Sequence, residues 1–203
     1  EISALLIDGL HFAELANVSV ESNITPDEPT TFDGAWNHPN PVQRRHWRKA
    51  IEKEFGDYKK RDCFKVVKKS SVPKDRRTIK CKWVFKLKRN GVYRARLVAC
   101  GYSQVPGVDF NQYTSPVIND TSLRIMILLL MMNPTYIHRI CDVETAFLYG
   151  RIKEQIYMDM PPGYEVTGQK VDRQNECLQL LSSIYGTVQA ALMYYELWAK
   201  TLR

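Results

Sequence analysis

Between residues 40 and 60 the apolar side chains recur every three or four positions. Trp47, Ile51, Phe55 and Tyr58 fall on one face of a helix and charged residues fill the rest. Asn40 is a good N-cap, Pro41 suits the first helical position and Gln43 can complete a capping box. The spacing therefore predicts an amphipathic helix that packs on a domain. From Ile79 to Lys88 the period changes to two. Ile79, Cys81, Trp83, Phe85 and Leu87 are apolar, and the alternate positions, save Val84, are lysine. That is the pattern of a half-buried strand. Arg89-Asn90-Gly91 makes a turn, and Val92 to Cys100 returns as the partner strand. A two-residue Asn90-Gly91 loop would set Phe85 opposite Arg96 and Leu87 opposite Arg94, mixing charge into the core face. A three-residue loop with Gly91 left-handed sets Leu87 opposite Tyr93, Phe85 opposite Ala95 and Trp83 opposite Leu97. The second register is expected, and it gathers Lys82, Lys86, Lys88, Arg94 and Arg96 on one face.

Residues Gly101 to Pro116 are loop-like. Asn119 or Asp120 can cap an apolar helix that runs to about Met132, where Asn133-Pro134 stops it. At this length the run reads as a core helix, since a membrane span needs roughly 20 apolar residues. Tyr136 to Val143 looks like a buried strand ending in an aspartate. A helical turn follows over Thr145–Leu148, then an extended segment over Gln155–Met160, a Pro161-Pro162-Gly163 turn and a loop to Asn175. Leu178 onward is expected to be helical, with Gly186 interrupting it. Residues 1–40 are weakly patterned. Ala4–Ile7 can nucleate a short helix, but Thr25–Thr30 reads as linker, so 1–40 is expected to be an acidic tail or linker. The mixed order of helices and strands makes the class α+β.

The formal charge of +7 conceals an asymmetry. Residues 1–43 carry 7 acidic side chains and no Lys or Arg, residues 44–104 carry 21 basic against 5 acidic, and residues 105–203 carry 8 basic against 10 acidic. So dense a basic block suggests a polyanionic partner, nucleic acid foremost, although a solvated Lys-rich surface would have the same composition. The five cysteines form no C-x-x-C pair and no zinc spacing. An odd count without a secretory signal fits reduced thiols in an intracellular protein.

Three groups of residues carry a family resemblance. Lys82-Trp83-Val84-Phe85-Lys86 with Arg94-Ala95-Arg96-Leu97-Val98-Ala99 and Gly101-Tyr102-Ser103-Gln104 resembles the fingers hairpin of copia-type retrotransposon reverse transcriptases, followed by Thr114-Ser115-Pro116-Val117. Asp142-Val143-Glu144-Thr145-Ala146-Phe147-Leu148 with Gly150, Ile156-Tyr157-Met158 and Pro162-Gly163-Tyr164 resembles the first palm motif and its tail. Tyr185-Gly186 with Gln189-Ala190 is similar to the next motif. The likeness runs in order from about Trp47 to the C-terminus. It implies fingers over about 41–132 and the start of a palm over about 133–203.

The resemblance implies roles. Asp142 would be one of the catalytic carboxylates that hold two Mg²⁺ ions in the complete enzyme, with the Val143 carbonyl as an extra ligand. Read from the residues alone, Asp142 is better taken as an N-cap for the turn that follows. Phe147 would lie under the sugar of an incoming deoxynucleotide and exclude a 2′-hydroxyl; on spacing alone it is a core residue. Lys86, Arg94 and Arg96 would grip the triphosphate, and Lys82, Lys88, Tyr185, Gly186 and Gln189 would face the template-primer, RNA or DNA. An exposed hairpin face is often charged in any case. Partners would be template-primer, deoxynucleoside triphosphates and the remainder of a polyprotein, including the rest of the palm and an RNase H, and no membrane.

Cys100, Ser182, Ser183, Ile184 and Leu192 depart from the family's pattern, mostly by loss of a basic residue. The family's second carboxylate motif, an aromatic-x-Asp-Asp turn, has no match; Tyr157-Met158-Asp159-Met160 imitates only its start. The expectation is thus a polymerase fragment that extends no primer by itself. The alternative is a non-catalytic nucleic-acid-binding remnant of a degenerate element.

Overall fold

A computed structural model of the protein describes residues 28–139 and 141–202, and the short helix expected at Ala4–Ile7 lies outside them. Helix α1 is Phe32–Trp36 and helix α2 is Pro41–Lys60. Residues 28–40 are thus not merely the end of a tail, because α1 packs on the domain. Phe32 stacks on Trp36 with ring centroids 5.6 Å apart and meets Trp83 at 6.1 Å.

Asn40 caps α2 as expected, its Oδ1 accepting from the N–H of Val42 (2.9 Å) and of Gln43 (3.2 Å). The reciprocal half of the capping box is not made. The Asn40 N–H donates to His38 Nδ1 at 3.3 Å, and Gln43 Oε1 is buried with no partner among the described residues. Trp47, Ile51, Phe55 and Tyr58 are all buried, as their spacing requires.

The hairpin consists of β3 (Cys81–Leu87) and β4 (Tyr93–Ala99), with Trp83 opposite Leu97, Phe85 opposite Ala95 and Leu87 opposite Tyr93. That is the three-residue register. Gly91 sits at φ 77, a conformation open to glycine without strain, and donates to the Lys88 carbonyl at 2.8 Å. The apolar face of the hairpin meets α2 edge to face. Trp47 lies 5.5 Å from Phe85, and Phe55 lies 5.2 Å from Trp83.

A two-stranded sheet has two open edges, and here side chains close them. Along β4 the Leu97 N–H donates to Glu54 Oε1 (3.1 Å), and the Tyr58 hydroxyl donates to the Leu97 carbonyl (2.8 Å). Along β3 the Leu87 N–H donates to Glu28 Oε1 at 2.7 Å.

The second sheet has the order β1-β6-β5-β2, from β1 (Phe64–Lys68), β6 (Glu176–Ser182), β5 (Arg151–Asp159) and β2 (Thr78–Ile79). Strand β2 runs parallel to β5 and the other pairs are antiparallel. This sheet crosses the boundary expected near residue 132, because β1 and β2 pair with strands from beyond it. Ile79 belongs to β2 rather than to the hairpin strand, Lys80 separating the two. Residues from Leu178 are strand, not helix; the helix α4 covers Ala190–Thr201. β6 is the inner neighbour of both β1 and β5, and a central strand reads as a continuous apolar run that periodicity cannot distinguish from a buried helix.

Two further expectations are corrected. The apolar helix exists as α3, Asp120–Met132, capped by Asn119, whose Oδ1 accepts from the Ser122 N–H at 2.7 Å. It is not a core helix, since none of its residues is buried and Met132 is 76% exposed. Nor do the described residues of Tyr136–Val143 form a strand; Tyr136 and Ile137 are exposed. Local sequence suffices for a capped helix, whereas a strand needs a ladder neighbour. Among the described residues neither segment meets a covering surface. Cys63, Cys81, Cys100, Cys141 and Cys177 are free thiols, and burial pushes Cys63 and Cys81 up to about 12.

Glu54 is a carboxyl group placed in the interior, 7% exposed. Burial raises its pKa from 4.5 to about 7, partly opposed by the Leu97 N–H and the charges of Arg96 and Arg94. The folded state therefore holds this proton between pH 4.5 and about 7, where the unfolded chain has released it. That contribution to stability is complete below the lower value and is lost as pH rises through the upper one. Glu54→Gln keeps an acceptor for Leu97 and cannot ionise. Urea unfolding should show the variant and the parent matched near pH 4.5 and the variant ahead by on the order of 2–3 kcal/mol at pH 8. An equal difference at both pH values would contradict the buried ionisation.

Candidate functional site

Where α2 lies along β4, their far ends open into a cavity of about 460 Å³. Helix α2 contributes Lys53, Glu54 and Asp57, and the hairpin contributes Lys88, Tyr93, Arg94 and Arg96. The opposite wall is the segment Asp142–Phe147 together with Tyr185. Seven residues singled out from the sequence thus surround one space: Lys88, Arg94, Arg96, Asp142, Val143, Phe147 and Tyr185. The other four do not line it.

The turn that presents Phe147 is built locally. Thr145 is left-handed at φ 56, unusual for a β-branched residue, and the 3-10 turn Ala146–Tyr149 follows without a side-chain cap. Asp142 therefore does not cap that turn. The turn directs Leu148 into the core and leaves Phe147 half-buried against the cavity. Ser183 fastens it from beneath, its Oγ donating to the Phe147 carbonyl at 2.6 Å. Phe147 meets Tyr185 edge to face at 5.9 Å, and the Arg96 guanidinium lies 5.1 Å over the Tyr185 ring. Phe147, Tyr185 and Arg96 are thereby parts of one packed row.

Four carboxylates line the cavity, and three have partners. Glu54 takes the Leu97 N–H, Asp57 pairs with Arg61 at 3.1 Å and Glu144 pairs with Lys53 at 2.7 Å. The Lys53 ammonium holds the Glu144 carboxyl below its ordinary range. Asp142 is exposed and makes no hydrogen bond or ion pair among the described residues. Among those residues no group of three His, Cys, Asp or Glu is arranged to hold a metal ion.

The remaining candidates lie elsewhere. Lys86 pairs with Glu28 at 3.1 Å, and Lys82 is exposed further along β3. Gln189 is 1% exposed and its amide is used internally, accepting from Gln104 Nε2 and donating to the Asp109 carbonyl, both at 3.0 Å. Gly186, at φ 85, lets Tyr185 approach β4 so closely that the Ala99 N–H donates to the Tyr185 carbonyl at 2.8 Å. Gly186 thus sets the position of Tyr185, whereas Gln189 joins Gln104 to the Asp109 backbone. The five departures from the family pattern, Cys100, Ser182, Ser183, Ile184 and Leu192, are all buried. None of these positions faces the cavity, so no charge is lost from its wall there. Sequence reasoning missed Lys53, Glu54 and Asp57. The signal was present for Glu54, a charge three residues after Ile51 and four before Tyr58 on the apolar face.

Gly186→Ala would drive a Cβ into the Ala99 carbonyl and the Val98 side chain at a φ that alanine resists. It should cost at least ~2 kcal/mol, read as a lower urea midpoint at unchanged slope. Parent-like stability would show that the two backbones do not meet this closely.

Comparison with known proteins gives a consistent answer. Residues 61–203 match the family described as Reverse transcriptase (RNA-dependent DNA polymerase). The Retrovirus-related Pol polyprotein from transposon TNT 1-94 of Nicotiana tabacum is 37% identical over 173 residues, 83% of this chain and 12% of that protein. The Retrovirus-related Pol polyprotein from transposon RE1 of Arabidopsis thaliana is 39% identical over 120 residues, 57% of this chain and 8% of that protein. The Transposon Ty1-DR5 Gag-Pol polyprotein of Saccharomyces cerevisiae is 27% identical over 188 residues, 90% of this chain and 10% of that protein. This chain thus spans 8–12% of the length of these relatives. No solved structure matches. Residue motifs, order along the chain and family match agree, and the chain belongs to the copia-type reverse transcriptases.

Proposed function

We propose that this chain is the nucleotide-handling part of an RNA-directed DNA polymerase, working within a larger polyprotein on a template-primer and deoxynucleoside triphosphates. The observation that carries the reading is Asp142. It is the one carboxylate of the cavity without a partner among the described residues, and it faces a wall of Lys88, Arg94 and Arg96. A space with a free carboxylate on one side and three cations on the other suits a polyphosphate whose charge is shared between them.

Arg94 and Arg96 would bind phosphoryl oxygens, Arg96 held in place by its contact with Tyr185. Phe147, braced by Tyr185 and by Ser183 beneath it, would press on the sugar and exclude a 2′-hydroxyl. Magnesium ions would supply activation of the attacking hydroxyl and neutralise charge on the phosphates. A single unpaired carboxylate does not hold two such ions. Asp142 and the Val143 carbonyl would be this chain's share, and the remaining ligands would come from elsewhere in the polyprotein. The isolated chain would then polymerise nothing. The setting would be intracellular, in a cytoplasmic particle or the nucleus. Among the described residues no helix is long and apolar enough to cross a membrane.

The test uses a chimera joining this domain to the remaining palm of a related transposon polymerase. Asp142→Asn keeps the shape and removes the charge, and should reduce Mg²⁺-dependent primer extension by at least ~10³-fold with the fold intact by circular dichroism. Near-parental extension would sink the role of Asp142. In the same chimera Phe147→Val should raise ribonucleotide incorporation relative to deoxynucleotide by on the order of tenfold or more. Unchanged discrimination with activity retained would return Phe147 to a purely packing role.

A further inference from the structure

On the flank of α2 turned away from the cavity, four cations line an open depression of about 400 Å³: Arg44, Arg45, Arg48 and Lys49. Pro41 and a single acid, Glu52, complete its lining. None of the four cations is ion-paired among the described residues. Their placement works against the helix. The first turn of α2 holds no acid, so the cations of the next turns oppose the helix dipole, where acids would be favoured. Arg44 with Arg48 and Arg45 with Lys49 are also like charges at i,i+4, which repel.

Two of the four are oriented by backbone carbonyls. Arg48 Nε donates to the Trp36 carbonyl at 2.9 Å, and its guanidinium lies 4.7 Å over the Trp36 ring. That ring stacks on Phe32, which meets Trp83 of the core. Arg44 Nη1 donates to the His38 carbonyl at 3.5 Å. A solvated surface needs no such bracing. Ordering two arginines in advance lowers the entropy lost when they bind.

We infer that this face of α2 is a second phosphate-backbone contact for nucleic acid, distinct from the cavity and from the hairpin. Along the helix the pair Arg44/Arg45 stands about 6 Å from Arg48/Lys49, from a rise of roughly 1.5 Å per residue. That spacing lets the two rows contact separate phosphates of one strand. Arg45, Lys49 and Lys53 follow one another at i,i+4, and Lys53 lines the cavity. The stripe therefore runs from the depression to the cavity rim, a path for a strand passing over α2. The inference rests on the nucleic-acid reading proposed above and extends the contact surface beyond it.

The experiment uses the full chain, a labelled 20-mer as single strand and as duplex, and fluorescence anisotropy across a series of salt concentrations. The triple variant Arg44→Gln/Arg45→Gln/Lys49→Gln spares Arg48 and its packing. On duplex its slope of log affinity against log salt should be shallower by about 2–3, from roughly 0.9 per phosphate contact, with affinity at low salt down on the order of tenfold. Lys82→Gln/Arg94→Gln reports on the hairpin separately. Loss of slope in the hairpin variant with none in the α2 variant overturns this inference and leaves the earlier reading standing. The reverse result supports the inference and counts against the hairpin. If the triple variant unfolds, Arg45→Gln/Lys49→Gln, exposed and without a hydrogen bond to a described residue, should still give a change of about 1–2. Polyglutamate that displaces the α2 contact as well as an oligonucleotide of equal charge would overturn the nucleic-acid assignment in favour of an acidic protein segment.

Discussion

Everything around the cavity depends on how the backbone N–H and carbonyl of one residue, Leu97, are satisfied. A hairpin of two strands leaves its outer groups unpaired, and a buried unpaired group costs about 1–3 kcal/mol. Glu54 and Tyr58, at i and i+4 on α2, take the N–H and the carbonyl of Leu97 in the way a neighbouring strand would. The helix is thereby fixed along β4 in one register. Only in that register do Lys53 and Asp57 face Arg94 and Arg96 across a gap. Burial of Glu54 opposes its ionisation more than Arg94 and Arg96 favour it, so the bond to Leu97 is made at an electrostatic cost. Burial also pushes the Tyr58 phenol well above its ordinary range, so it stays a donor.

What could be read from the sequence was whatever depends on neighbours along the chain. The α2 stripe, its Asn40 cap and the three-residue hairpin turn were legible because each is fixed by periodicity or by one residue's backbone preference. The inner strand β6 was not, since Cys177 and Leu181 on one face and Leu178 and Leu180 on the other obscure the alternation, and its identity comes from β1 and β5. Strand β1 gave too short a signal to stand out from its lysines. The motif around Asp142 was legible only through family likeness, because spacing alone allowed a cap. The α2 wall of the cavity was hidden for a different reason. Lys53 and Asp57 look like ordinary surface charges until the Leu97 contact places β4 beside them.

The hairpin's basic face also divides in a way that alternation could not foretell. Alternation puts Lys82, Lys86, Lys88, Arg94 and Arg96 on one side, but a twisted ribbon does not present one side to one partner. Arg94, Arg96 and Lys88 turn into the cavity, whereas Lys86 is taken by Glu28, whose other oxygen holds the edge of β3. The departures from the family pattern follow the same logic of location. A basic residue exchanged for serine at 182 or 183 would be a loss of affinity on a groove. In an interior position Ser183 serves instead as a donor that holds the Phe147 turn.

The exposed helix α3 and the exposed segment before Asp142 reflect one shortage. A 13-residue helix with apolar side chains on every face gains little from packing on one side alone, and helices of this length are marginal in water without tertiary contacts. Residues 133–139 and 141–143 follow directly and make no ladder pairing among the described residues. Asp142 thus stands in backbone without ladder pairing among the described residues, while Phe147, five residues on, is held by Ser183 and Tyr185. The two ends of the motif thus differ in the contacts that hold them. On the proposed reading, the side chains that would meet phosphate and sugar are already packed on the hairpin side, whereas Asp142 would be held further by a surface that covers α3. Such a surface would act on the position of Asp142 before touching any substrate, which couples assembly of the larger protein to the geometry of its chemistry.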